Sequence, residues 1–124
     1  MSLTNYGETY VLGLVKSAKT YYLGVLTSAP TDSSAGTEVS GGAYARQAIT
    51  FAPPASGDPS SMTNAAAIEF PTATAGWGTV VAWGVYDAAT GGNLVWYGAL
   101  STAKELSAND TIIVHAGDLK LTLD

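Results

Sequence analysis

Residues Gly76–Leu100, GWGTVVAWGVYDAATGGNLVWYGAL, hold two apolar runs either side of a short polar loop. The runs are Thr79–Asp87 and Asn93–Ser101, and the loop is Ala88–Gly92. Val, Trp and Tyr dominate both runs, and these residues fit a pleated, half-buried surface. Thr90-Gly91-Gly92-Asn93 supplies the positive φ angles that a hairpin loop needs. Strand residues alternate in direction, so Val81, Trp83 and Val85 face one way. Val80, Ala82, Gly84 and Tyr86 face the other. In the second run Leu94, Trp96, Gly98 and Leu100 oppose Val95, Tyr97 and Ala99. Large residues on both faces predict central strands covered on both sides. Ala82, Gly84, Gly98 and Ala99 leave room for bulky neighbours across the sheet. The stretch predicts the central hairpin of an all-β domain.

The N-terminal segment reads differently. Thr4 or Asn5 is a candidate helix cap, with Glu8 in the first turn. Leu3, Tyr6, Tyr10 and Leu14 recur at helical spacing and form one apolar face. Gly7 and Gly13 each weaken a helix by about 1 kcal/mol. Residues 1–18 are therefore read as a short helix or an extended arm. Downstream, Thr20–Thr27 (TYYLGVLT) reads as a strand. Ala29–Gly42 reads as a long loop of interaction type, with one Pro, three Gly and no periodicity. Tyr44–Phe51 is the next expected strand, and Ala52–Met62 breaks structure through Pro53-Pro54, Gly57 and Pro59. Asn64–Phe70 is read as a short strand stopped by Pro71. Lys104–Leu106 is read as an edge piece, and Thr111–His115 as a strand. At the C-terminus Leu119, Leu121 and Leu123 alternate with Asp118, Lys120, Thr122 and Asp124, a strict period of two. That pattern locks the chain end into a sheet. Seven or eight antiparallel strands result, as a single-domain β-sandwich over residues 1–124, jelly-roll-like in outline.

Composition bounds the function. The 124 residues suit one domain with one core. Only 12% are charged, about half the globular average. The net charge of −5, with five scattered basic residues, argues against a nucleic-acid partner. Absence of cysteine excludes disulfides and thiolate chemistry. No signal peptide is read at the N-terminus. No run approaches the roughly 20 apolar residues of a membrane helix, so no membrane partner is expected.

Catalytic signatures are missing. His115 has no Gly-x-Ser-x-Gly elbow to serve and reads as a half-exposed strand residue. The ten carboxylates are dispersed, without calcium-loop spacing, and Asp87, Asp110 and Asp118 fit turns. Gly41-Gly42 precedes a strand, the wrong order for a phosphate cradle. No catalytic residue, cofactor or metal is read from the chain. Arg46 is the one arginine, and its forked guanidinium suits tying loop carbonyls or a carboxylate together, with a subunit contact as the second reading. Trp83 and Trp96 read as core, whereas Trp77, between glycines, reads as an interface residue. The interface candidates are Trp77, Arg46, Tyr44, Asp32, Glu38, Tyr6 and Tyr10.

Six segments carry a family resemblance: Tyr22–Asp32 (YLGVLTSAPTD), Gly41–Phe51 (GGAYARQAITF), Asn64–Pro71 (NAAAIEFP), Ala73–Val80 (ATAGWGTV), Trp83–Leu100 (WGVYDAATGGNLVWYGAL) and Gly117–Asp124 (GDLKLTLD). Their order and spacing resemble small bacteriophage virion structural proteins, labelled tail fibre or capsid decoration-like. The resemblance implies a non-enzymatic virion protein, assembled in the host cytoplasm. The first expectation for its role is a capsid decoration or cement protein. As such it would be a homotrimer bridging major capsid protein subunits through Ala29–Gly42 and the N-terminal segment. The alternative is a tail-fibre or baseplate component that touches other virion proteins or the host.

Overall fold

The hairpin read from Gly76–Leu100 is present, and longer than expected. A computed structural model describes residues 3–123. In chain order its elements are α1 (Asn5–Ala18), β1 (Tyr21–Ser28), β2 (Thr37–Glu38), β3 (Gln47–Ile49), β4 (Ser60–Thr63), β5 (Ile68–Glu69), β6 (Gly78–Tyr86), β7 (Leu94–Leu106), β8 (Ile113–Val114) and β9 (Lys120–Leu123). The chain is mostly β, with antiparallel sheets and one N-terminal helix. Among the described residues nine strands stand where seven or eight were expected, because several are only two or three residues long. The chain divides into two compact units: Met1–Thr20, Ile49–Ile68 and Val114–Asp124 form one, and Tyr21–Ala48 with Glu69–Ile113 forms the other.

The second unit is built on the path β2–β1–β6–β7, with β3 also beside β1. β1 and β6 pair in register from Tyr22↔Tyr86 to Leu26↔Ala82. β6 and β7 pair Ala82↔Ala99, Trp83↔Gly98, Gly84↔Tyr97 and Val85↔Trp96. Gly91 and Gly92 take φ of 62° and 69° in the connecting loop, as the hairpin requires. β6 is central, with Val80, Ala82 and Val85 at or below 1% exposure. β7 is not: it ends the path, and Val95 and Tyr97 are 42% and 39% exposed. The expectation of two covered faces thus fails for β7, because apolar content alone does not say which strand ends a sheet. Between Val80↔Lys104 and Ala82↔Ala99 the register shifts, leaving Leu100–Ala103 opposite Val81 alone. This irregularity in the ladder joins Lys104–Leu106 to the hairpin instead of leaving a separate edge piece.

The first unit pairs β4 with β9, from Ser60↔Leu123 to Thr63↔Lys120. β4 begins inside Ala52–Met62, the stretch read as breaking structure. Its Met62 is 1% exposed and stands opposite Leu121, also 1% exposed, so long-range pairing overrides the local Pro and Ser content. β9 keeps the predicted alternation: Leu119 and Leu121 are buried while Asp118, Lys120 and Thr122 are exposed. Asp124 lies outside the described residues. Asn64, expected to open a strand, is a buried polar hub instead. Its Nδ2 donates to the carbonyls of Ala66 and His115 at 2.9 and 3.0 Å, and its Oδ1 accepts from Leu119 N at 2.9 Å. Bonding of its own chain two residues on turns the backbone, so only Ile68–Glu69 remains strand there. His115 is exposed and lies just past β8, not within a strand.

Helix α1 forms as its signals predict. Thr4 Oγ1 accepts Gly7 N at 3.0 Å as the N-cap. The helix packs against β4, with Leu12 and Glu8 at 0% and 3% exposure. Ser60 Oγ donates to Glu8 Oε1 at 2.7 Å. The apolar face is real but turned to solvent: Leu3, Tyr6, Tyr10 and Leu14 are 45, 77, 57 and 51% exposed.

Candidate functional site

The segment before β3 was expected to be strand from Tyr44, and it is not. Gly41, Gly42 and Ala43 take φ of 78°, 57° and 67°, so the chain coils until Gln47. This coil swings Tyr44 and Arg46 over the sheet, where both meet Glu38 from β2. Arg46 Nε donates to Glu38 Oε2 and Nη2 to Oε1, each at 2.8 Å. That is the parallel fork that arginine makes with a carboxylate. Arg46 Nη1 donates to the carbonyls of Ala88 and Gly91 at 2.9 and 2.7 Å. The guanidinium carbon sits 3.6 Å from the centre of the Tyr86 ring. One side chain therefore binds β2, the β6–β7 loop and β6 together.

Tyr44 completes the cluster. Its hydroxyl donates to Glu38 Oε2 at 2.5 Å and accepts Val25 N at 3.1 Å. The hydroxyl fits because β1 carries Gly24 beneath it: a Cβ there would stand 2.7 Å from Tyr44 Oη and 2.8 Å from Glu38 Oε2. Burial raises the Glu38 carboxyl, but the bonds from Arg46 and Tyr44 and the Arg46 charge outweigh it, so Glu38 is held below its ordinary value. Burial and the bond to Glu38 push the Tyr44 hydroxyl far above its ordinary value.

Trp77 sits next to this cluster and is buried, 5% exposed. Its Nε1 donates to Gly42 O at 2.8 Å, and its ring meets Tyr44 edge-on at 5.3 Å and Phe70 at 6.4 Å. Trp83 and Trp96, read as core, are half-exposed, so the tryptophan order is inverted. The physical reason is Gly42: without a side chain, it lets the indole close over its backbone, at 2.9 Å from where a Cβ would be.

Asp32 lies elsewhere in the same unit. It accepts the Tyr97 hydroxyl at 2.5 Å, at an open recess of about 360 Å³ lined by Thr31–Ala35, Leu94 and Val95. This bond raises the Tyr97 hydroxyl above its ordinary value. Tyr6 and Tyr10 belong to the other unit, where their rings stack at 6.3 Å on the outer face of α1. The seven candidates thus fall into three places: Glu38, Tyr44, Arg46 and Trp77 together, Asp32 on Tyr97, and the α1 tyrosine pair.

A family model described as Podophage GP4 fiber I protein gp80 matches residues 3–122. The chain belongs to this family. No curated protein matches it. Membership in the gp80 fibre family makes the chain a structural protein of the phage virion. The family resemblance read from the six sequence segments is borne out at that level. In this gp80-family chain the cluster's polar side chains bond one another and nearby backbone groups. Glu38 is ionised and accepts three hydrogen bonds from Arg46 and Tyr44, and Arg46 spends both Nη1 protons on two loop carbonyls. Tyr86, Tyr97 and Gly24 were not among the candidates. Gly24 has the one signal that could have found it, a glycine in the middle of an otherwise bulky strand.

Proposed function

We propose that the chain is a non-enzymatic structural subunit of the phage tail, a fibre component that works through contacts with other virion proteins and with copies of itself. The family match over residues 3–122 carries this reading, since the matched description is that of a fibre protein. It favours the tail over capsid decoration, the first role implied by sequence. The Arg46–Glu38–Tyr44 cluster supports a mechanical role. It clamps three chain segments in one unit and so presents the Thr90–Asn93 loop in one conformation. Quantitative mass spectrometry of purified particles, with gold-labelled antibody imaging, tests the reading. A few copies per particle, at the tail, are expected. Hundreds of copies spread over the head would overturn it in favour of decoration.

A further inference from the structure

Helix α1 carries an apolar stripe on its outward face as well as on the inward face where Leu12 is buried. A carboxylate, Glu8, is turned inward at 3% exposure, while two leucines and two tyrosines point out at 45–77%. In heptad terms Leu3, Tyr10 and Ser17 share one position, Tyr6 and Gly13 a second, and Gly7 and Leu14 a third. These three positions make the seam of a helix pair or bundle. Glu8 and Val15 occupy the position opposite that seam. From Leu3 to Val15 the only charged residue is Glu8, and it is buried.

We infer that this outward stripe of α1 is a self-association surface whose occupant is the same stripe of a second copy. Two observations select a second copy. First, the chain carries a net charge of −5, which opposes self-contact over its acidic surface, and this stripe is free of exposed charge. Second, the stripe is self-complementary in shape. The stacked rings of Tyr6 and Tyr10 form a ridge, with Gly7 on one flank and Gly13 on the other. A Cβ at Gly13 would meet nothing within 4 Å, so the helix surface is open there to receive a ring. A surface with both knob and hole satisfies a symmetric contact, in which each copy offers what the other accepts.

The area sets the strength. With 150–250 Å² carried by an aromatic side chain, the stripe offers roughly 400 Å² per copy. A pair would bury roughly 800 Å², below the 1,200 Å² where stable interfaces begin. Free copies therefore associate weakly, and copies held side by side in a particle associate through their effective concentration. The inference rests on the virion reading for that local concentration alone, and absence of the chain from particles would leave the solution result standing.

Sedimentation velocity on the full chain, from about 1 µM to about 1 mM, tests it. The average mass should rise with concentration, and Y6E/Y10E should weaken the association at least about tenfold. Circular dichroism should show the helix signal unchanged in the variant. A wild-type chain that stays monomeric throughout would overturn the inference. So would association that survives Y6E/Y10E but is lost in Val95→Lys, since that would put the contact on β7. Because the chain has no cysteine, Ser17→Cys gives an independent readout. Disulfide-linked dimers should form from it at high concentration, and not from Ser107→Cys, which lies off the stripe; equal yields from the two would equally overturn it.

Discussion

Gly24 lies directly under the Tyr44 hydroxyl, and the absence of a side chain on β1 is what lets Tyr44 reach both Val25 N and Glu38. Gly24→Ala should therefore cost about 1–3 kcal/mol, as overpacked sites do. Urea unfolding would measure it. The same change at Gly13, which faces open space inside a helix, should stabilise by about 1 kcal/mol through helix propensity.

Arg46 makes four hydrogen bonds that lysine cannot reproduce as a set. Arg46→Lys should lose roughly 2 kcal/mol of stability, because charge-assisted bonds contribute about 1.5–3 kcal/mol each and only some survive. Amide hydrogen exchange should quicken more at Gly91–Asn93 than in β9, a difference that a general loss of stability alone would not produce.

The cluster makes stability depend on pH at both ends. Glu38 is held below its ordinary value of 4.5, so its contribution is complete above that pH and is lost as pH falls through the lower folded value. Tyr44 is held above its ordinary value of 10.0, so its contribution is complete below pH 10 and is lost as pH rises beyond it. Unfolding free energy measured across pH should fall on both sides. Glu38→Gln should flatten the acid limb and Tyr44→Phe the alkaline limb.

Asn64 satisfies three backbone groups from a site 2% exposed. Asn64→Ala should cost about 1–3 kcal/mol for each group left without a partner in the interior. Asn64→Asp should be no better, since a carboxylate would face the two carbonyls that now accept from its amide. Thermal unfolding would check both.

The local elements were legible in the sequence. Thr4 and the helical spacing behind it define α1, because capping and period are properties of neighbouring residues. Val, Trp and Tyr around Gly91-Gly92 define the hairpin for the same reason, and the leucine alternation at 119–123 defines β9. Half of the site was legible too: Arg46 was read as tying loop carbonyls or a carboxylate together, and its guanidinium holds both.

Tertiary structure decided what depends on partners far along the chain. Periodicity shows that α1 has an apolar face but not which way it points; against β4 the helix buries Leu12 and also Glu8, whose carboxylate takes the Ser60 hydroxyl, and the Leu3–Tyr6–Tyr10–Leu14 face is left outward. Trp77 is buried because Gly42, 35 residues away, leaves space for its indole. Edge or centre, likewise, is a fact about the sheet: β7 is as apolar as β6, and only the strand order puts it last.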